Sequence, residues 1–459
     1  MKKIILSITT ILLLLSCQSQ APSVSSTAIL IENVNIVDVQ QAAIHYGNQV
    51  VIDSGLIIKI TAQAIDPEGY TNLIDGENMF LMPGLAEMHA HIPGPNTSRE
   101  RLEETLFLYL SNGITTIRGM LGDPMHLELK KEVVDGDVLG PRIFTSSPSL
   151  NGNSVPTPEE ARSKVTAYAD AGYDFLKIHP GIQRNVFDTL VATAREHNIP
   201  LAGHVPVDVG IRHALQSKFA SIDHIDGYLE GLVPANKRLD PTSNGFFGYN
   251  FTDETDVSLI GELVSMTREK QVWIVPTQSL FERWFAPADV DELLAQPEMK
   301  YMPASTLEQW RNRKIQSTGP DSGFDPEKWE RFINIRRQLL KALHDGGHGM
   351  ILGSDAPQLF NVPGFSIHHE IQGMLRAGLN PVQILATGTY QPARYFNQTN
   401  VFGQVQEGFE ADLILLSKNP FSNIENLKEI EGVFARGRWL DKKMIENRLV
   451  EIAINAQNN

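Results

Sequence analysis

From Ala28 to Ile74 the apolar positions come in short alternating runs: Ile29-Leu30-Ile31, Val34-Asn35-Ile36-Val37, Val50-Val51-Ile52 and Leu56-Ile57-Ile58-Lys59-Ile60. Asp53-Ser54-Gly55 supplies a turn between the last two. Period-two alternation punctuated by turn residues predicts short strands and a small β-sandwich or barrel piece. The same texture returns in residues 403–405, 411–416 and 431–437. Both chain ends are therefore expected to build one composite β-sandwich domain, from residues 28–82 and 401–459.

The middle of the chain reads differently. An apolar run, Met79 to Met82, leads into Pro83-Gly84-Leu85-Ala86-Glu87-Met88-His89-Ala90-His91 and predicts a strand that ends in two histidines. Further strands are expected at 113–118, 142–145, 175–178, 200–204, 220–224, 272–277 and 350–355, with helical patterns between them, which makes eight. Thr157-Pro158-Glu159-Glu160 carries an N-cap, a first-turn proline and a capping-box glutamate, and the helix it opens stops at Gly172. Asp325-Pro326 opens another, whose Trp329, Phe332, Ile333, Leu339, Leu340 and Leu343 keep helical spacing until Gly346-Gly347. Eight strands alternating with helices predict an α/β fold, a (β/α)8 TIM barrel over residues 83–400. The stretch from Pro287 to Ser322 is too long for an ordinary connection and is expected to be an insertion at the barrel mouth, of the kind that forms lids.

The length of 459 residues suits one large domain and one smaller one. With 42% hydrophobic and 20% charged residues the body is that of a globular protein. Its first residues change the picture. Lys2 and Lys3 precede an apolar stretch from Ile4 to Leu15, the pattern of an export signal over residues 1–16 and too short to span a bilayer. Leu14-Leu15-Ser16-Cys17 resembles the lipobox of bacterial lipoproteins, and Cys17 is the only cysteine. A lone cysteine in an exported chain has no internal disulfide partner. We therefore expect lipidation at Cys17, a tether over 17–27 and a place in the bacterial cell envelope; the alternative is an ordinary cleaved signal. Gln18, where an aspartate would retain a lipoprotein at the inner membrane, directs the expectation to the outer membrane, facing the periplasm. The net charge of −15 becomes about −17 once the two lysines of residues 1–16 are removed. Nucleic acid and anionic lipid surfaces are excluded as partners on that ground. A small-molecule substrate remains the expected partner, and a homo-oligomer is left open.

Two histidines spaced i, i+2 at a strand end point to one face. Such a pair is half of a first-row metal site. Six residues sit at or near predicted strand ends: His89 and His91 on the first strand, Lys177 on the fourth, His204 on the fifth, His224 on the sixth and Asp355 on the eighth. A barrel assembles its active site there. The other nine of the thirteen histidines (His45, His126, His179, His197, His213, His344, His348, His368 and His369) lack this joint pattern and are expected at the surface, in caps or in the core. His179 and His348 flank strands of the site and are the first to reconsider.

The stretches PGLAEMHAH (83–91), GITTIR (113–118), FLKIH (175–179), AGHV (202–205), SIDHIDG (221–227), LGSDAP (352–357), QPARYF (391–396) and EGFEADLILLSKNP (407–420) together resemble the amidohydrolase superfamily. Within it the resemblance is to the imidazolonepropionase-like and prolidase-like metal-dependent hydrolases. It implies two divalent ions, zinc first and manganese or cobalt as alternatives. His89, His91 and Asp355 would hold one, His204 and His224 the other, and Lys177 would bridge them. An ammonium has no lone pair, so the implied form of Lys177 is a CO2-derived carbamate. Cations in such a site lower the pKa of water so that a metal-bound hydroxide is available at neutral pH, and Asp355 would carry a proton from it to the leaving amine. Two positions depart from the common pattern, Glu87 where many relatives have Asp and Arg118-Gly119 where many have Arg-Asp, so altered contacts around the ligands are expected. Tyr228 matches a substrate-facing tyrosine of the prolidase-like members, with simple packing as the alternative.

The implied function is hydrolysis of a C–N amide bond in a small molecule, an Xaa-Pro-like dipeptide or an N-acyl amino acid. A cyclic-amide or lactone ring hydrolase would use the same chemistry with a different pocket. A non-catalytic metal- or solute-binding lipoprotein would need the histidines but has no use for Lys177 and Asp355 together.

Overall fold

The computed structural model describes residue 25 and residues 27–458. The expected signal peptide and Cys17 lie outside the described residues. Past them the alternating runs become β1 (Ile29–Asp38), β2 (Ala43–Asp53) and β3 (Leu56–Thr61), an antiparallel meander. They are followed by β4 (Asn72–Asp75) and β5 (Phe80–Pro83), both parallel to β1. Ile29, Ile31, Val34 and Ile36 pack with Val50, Ile52 and Ile57 in a small core of their own. The step from Ile31 to Val34 keeps one face because the register shifts there, with Asn33 at φ 54°.

After one residue, Gly84, the chain enters the α/β body. The strand expected from Met79 to His91 is thus two strands in two different sheets. In the body, β6 (Leu85–Ala90), β7 (Ile114–Gly119) and β8 (Arg142–Thr145) make a three-stranded parallel sheet. A second parallel sheet holds β9 (Leu176–Ile178), β10 (Leu201–Gly203), β11 (Ser221–Asp223), β12 (Trp273–Val275) and β13 (Gly349–Met350), adjacent in chain order. Helices connect them, and Thr157 and Asp325 cap two of these as expected, over Pro158–Ala171 and Pro326–Gly346. The sheet edges are not left open. Ser147 N donates to Phe175 O at 2.8 Å between β8 and β9, and Met88 N donates to Leu352 O at 2.8 Å between β6 and the extension of β13. Edge backbone groups buried without such partners would be costly.

β14 (Leu413–Leu416), β15 (Ile430–Ala435) and β16 (Arg438–Asp441) add to the free edge of β5, giving one sheet of eight strands in which β4 branches from β1. The two chain ends share this one hydrogen-bonded sheet. It folds back so that Ile57 of β3 bonds Phe409 and Gly408, just ahead of β14, at 2.9 and 2.7 Å. In β14, Leu413 and Leu415 face the small core while Ile414 and Leu416 face the main one. Burial on both faces explains an unbroken apolar run.

Two expectations are corrected. Residues 403–405 form no strand. The last segment is a helix, Lys442–Asn458, whose Ile445, Ile452 and Ala456 are buried on one face. The stretch from Pro287 to Ser322 is largely helical and pinned: Lys314, buried on the helix Ala304–Thr318, donates to the carbonyls of Arg283, Trp284 and Ala286.

Gly84 is where the outer sheet meets the body, and a Cβ there would lie 2.0 Å from Thr115 Oγ1, inside buried surroundings. We predict that Gly84→Ala lowers stability by about 1–3 kcal/mol. Gly69→Ala, with open space around it, should stay within about 0.5 kcal/mol of the parent. Chemical denaturation of both variants checks the contrast.

Candidate metal centre

The donors gather where strands of the body end. His89 is next to last in β6 and His91 follows its end; Lys177 is the middle residue of β9; His204 and His224 directly follow β10 and β11. Asp355 lies at the end of the extension of β13, where its backbone N donates to His89 O at 2.9 Å. His89, Lys177, His224 and Asp355 are buried, and His91 and His204 are half-buried.

His91 Nε2 lies 2.6 Å and His89 Nε2 3.4 Å from the same oxygen, Asp355 Oδ1. One donor atom from each of these three residues lies within 4.8 Å of the others, a group that could hold a metal ion. The ring of His224 is 4.5 Å from that of His89 and 4.6 Å from that of His204. His224 Nδ1 is 3.9 Å from Asp355 Oδ2. The six residues singled out from the sequence are thus in one place. Lys177 Nζ is 4.0 Å from Asp223 Oδ2.

Two of these imidazoles, His204 and His224, are held by a hydrogen bond at Nδ1, and that of His89 faces a carboxylate there. His89 Nδ1 faces Asp223 Oδ2 at 3.0 Å, His204 Nδ1 bonds Asp226 Oδ2 at 2.9 Å, and His224 Nδ1 bonds Thr277 Oγ1 at 2.7 Å. Fixing Nδ1 turns Nε2 toward the centre, the arrangement of metal-ligating histidines. His224 Nε2 and Lys177 Nζ are buried with no hydrogen-bond partner. An orphaned buried polar atom costs about 1–3 kcal/mol. The His224 nitrogen, beside the imidazole or carboxylate donors of His89, His91, His204 and Asp355, is what a bound cation would satisfy, whereas Lys177 could take part only once its nitrogen is no longer an ammonium; the donor set suits zinc, manganese or cobalt. Burial first, then the positive neighbour Lys177, pushes His89 well below its usual pKa, and burial followed by His89 does the same to His224. Neutral imidazoles carry the lone pairs a metal requires. Burial also lowers the Lys177 ammonium, against the attraction of Asp223.

Several contributors are not on the list read from the sequence. Asp223 and Asp226 flank His224 in the motif SIDHIDG, and their spacing was a usable signal. Thr277 and Arg336 had none: Arg336 reaches His224 O at 2.9 Å from a distant helix. Arg118, fully buried, donates to Asp223 Oδ1 at 3.0 Å, to Met88 O at 2.7 Å, and to Ser221 Oγ and Tyr395 OH at 2.8 Å. Glu87 accepts from His89 N at 3.1 Å and from Ser354 N and Oγ at 2.7 and 2.5 Å, holding the residue before Asp355; burial pushes its carboxyl up to about 8. His179 joins the surroundings, its ring 5.2 Å from His204 and its Nδ1 2.7 Å from Ser149 Oγ. His348 does not; it packs edge-on against Trp273. The expectation for Tyr228 is corrected. Its side chain is fully buried and its hydroxyl bonds Thr267 Oγ1 at 2.6 Å, because the helix Tyr228–Gly231 turns it into the core.

His224 and Asp355 have φ of 63° and 66°, in the left-handed region. Non-glycine residues there cost about 1–3 kcal/mol each and persist where the surroundings hold them. Here Arg336, Thr277 and Glu87 with Ser354 do so. Asp226→Ala removes the orienting partner of His204, and we predict a loss of about 10–100-fold in affinity for a divalent metal. Zinc competition against a chromophoric chelator measures it, and weakening should be confined to one class of site.

Comparison with known proteins bears on this centre. Residues 80–440 match the family described as Amidohydrolase family. Ochratoxinase of Aspergillus niger is 22% identical over 453 residues, covering 83% of this chain and 80% of that protein. Among solved structures, a bottromycin amidohydrolase superposes with a TM-score of 0.70 at 20% identity, over 94% of this chain and 91% of the other. A Xaa-Pro dipeptidase with bound methionine in the active site superposes with a TM-score of 0.64 at 18% identity, over 90% and 100%. With its match spanning both the body and the strands on either side of it, the chain belongs to the amidohydrolase family, hydrolases that act on carbon–nitrogen bonds.

Proposed function

We propose that this chain hydrolyses an amide bond in a small molecule, an Xaa-Pro-like dipeptide or an N-acyl amino acid, at a two-ion centre. His89, His91 and Asp355 would hold one ion and His204 and His224 the other, with Lys177 as a carbamate between them. The observation that carries this reading is the Lys177 Nζ, buried without a hydrogen-bond partner beside the imidazoles. Addition of CO2 to the neutral amine would make it an anionic ligand, and burial, by favouring the neutral form, suits that reaction. Backbone bonding between the two parallel sheets at both edges supports a closed (β/α)8 barrel, whose strand ends would then surround the centre.

Divalent ions held there supply two things, a lowered pKa for water and polarisation of the substrate carbonyl. The rest falls to the protein. Asp355 is the proton carrier: it takes a proton as water attacks the carbonyl carbon, and gives it to the nitrogen as the C–N bond breaks, leaving an acid and an amine. Its backbone bond to His89 and the hold of Glu87 on Ser354 keep that carboxylate in place. Asp226 and Thr277 hold the rings of His204 and His224 at Nδ1, and the Asp223 carboxylate faces that of His89. Kinship to a Xaa-Pro dipeptidase and to ochratoxinase supports an amide substrate.

We also place the protein in the bacterial cell envelope, exported and anchored through lipid on Cys17 at the outer membrane. The charged and apolar residues ahead of that single cysteine support this. Among the described residues no helix is long and apolar enough to cross a membrane.

Elemental analysis of protein starting at Gln18, parent beside Lys177→Ala and Asp355→Ala, with dipeptide and N-acyl amino acid panels, tests the function. We expect close to two divalent ions per chain, fewer in Lys177→Ala, and loss of turnover in Asp355→Ala. One ion, unchanged in Lys177→Ala, would sink the bridging role; no ion would overturn the mechanism.

A further inference from the structure

His179 directly follows β9, as His204 follows β10 and His224 follows β11, so it stands on the rim that carries the donors. Its spacing from Lys177 is i, i+2, which at a strand end directs both side chains to one face. The His179 ring lies 5.2 Å from that of His204, 27° from parallel. Its hydrogen bonds differ from those of the donor histidines, and they fix its proton. Asn151 Oδ1 accepts from the backbone N of Asn153 and of Ser154, both at 2.9 Å. The other end of that amide, Nδ2, therefore donates to Ser149 Oγ, at 2.9 Å. Ser149 in turn gives its hydroxyl proton to His179 Nδ1, 2.7 Å away, and the imidazole carries its own proton on Nε2. Among the described residues Nε2 has no hydrogen-bond partner, and the side chain is half-buried. A nitrogen that bears a proton offers no lone pair to a metal, so this ring is a donor toward a bound molecule rather than a ligand.

A second ring reaches the same histidine. Phe247, in the connection between β11 and β12, lies 5.8 Å from His204 and 5.4 Å from His224, centroid to centroid. Its backbone is at φ 49°, a conformation that bulky side chains rarely adopt, between Gly245 and Gly248 at φ 71° and 81°. A Cβ on Gly248 would come within 2.7 Å of Leu229, so the chain passes there only as glycine. Phe246 and Phe281, 4.7 and 5.1 Å away and both edge-on, prop the ring from the protein side. Backbone strain of this kind collects at ligand clamps. Here it sets a half-buried apolar ring against two donor imidazoles.

We propose that His179 and Phe247 are specificity-determining residues of the amide site. Phe247 packs an apolar group of the substrate, and His179 Nε2–H donates to an acceptor oxygen on the same molecule, the free carboxylate in a dipeptide or an N-acyl amino acid. The reaction itself rests on the amide-hydrolase reading above, but both contacts can be read as binding, without turnover.

The test uses acetohydroxamate, hexanohydroxamate and succinic acid monohydroxamate, three zinc-chelating probes that differ in what they carry beyond the anchor. Each is titrated calorimetrically into the zinc-loaded protein and into Phe247→Ala and His179→Phe, the latter keeping a ring against His204 without an N–H. On the parent, the longer chain and the carboxylate should each bind about tenfold tighter than acetohydroxamate. Phe247→Ala should erase the first gain and keep the second, and His179→Phe should do the reverse. Acetohydroxamate affinity, zinc content and the unfolding midpoint should match the parent in both variants. For any amide the parent turns over, both substitutions should raise KM more than they lower kcat. A gain that survives its own substitution, or the lack of either gain on the parent, overturns the proposal. Loss of zinc in His179→Phe does so too, since it would make that ring a ligand, and so does failure of acetohydroxamate to bind, since the centre would then be closed to substrate. Both gains and their losses with no amide turned over would sink the hydrolase reading alone; turnover with affinities indifferent to both substitutions would sink this inference alone.

Discussion

The Asp223 carboxylate, fully buried, links a buried cation to one of the imidazoles of the centre. One oxygen takes Arg118 and the other faces His89 Nδ1 at 3.0 Å, with Lys177 Nζ 4.0 Å away. Arg118 in turn ties β7 to Met88 O on β6, to Ser221 on β11 and to the Tyr395 hydroxyl from the helix Tyr390–Tyr395. Both charges have 0% exposed side-chain surface. Removing one member of such a pair costs about 3–5 kcal/mol, since the other is left buried and uncompensated. The price of keeping charge in the core is thus linked to the orientation of a donor imidazole.

Around that link, the remaining donors are held in strained or desolvated states by neighbours from other elements. Glu87 gathers the backbone and hydroxyl of Ser354, and this steadies Asp355 in its left-handed conformation. Arg336, whose pKa burial lowers to about 9, lies 3.3 Å from the Phe281 ring centroid and bonds the carbonyl of His224. The two positions that depart from the common family pattern, Glu87 and Arg118-Gly119, both act in this surrounding shell. Their chemistry is positioning rather than ligation.

The outer sheet contributes at a distance. β14 is buried on both faces, so it serves as the contact layer between the small core and the body. Arg142 on β8 bonds Asp412 Oδ2 at 2.7 Å and Glu410 Oε2 at 2.6 Å, which fastens the sheet to the body by charge as well as by packing. Gly84 lets β5 turn into β6 over a single residue, with its N–H bonded to Asp412 O at 2.8 Å.

What could be read from the chain alone is what is local. Hydrophobic period marked the strands of the body, caps at Thr157 and Asp325 marked helix starts, and the position of His89, His91, His204, His224, Lys177 and Asp355 at strand ends marked residues that the fold gathers in one place. The terminal helix Lys442–Asn458 was missed because its buried face is sparse, and the break at Gly84 because apolar runs on either side of it read as one strand. Tertiary structure decided the rest. Whether Tyr228 faced a substrate or Thr267 depended on the direction of a short helix, which no local spacing encodes. That Arg118, Asp223 and His89 form one unit, and that Arg336 holds His224, follows from strands and helices distant in sequence being packed together. Such pairings carry no periodic signal, since the energy that selects them, the cost of an unpaired buried charge, exists only once the core has formed.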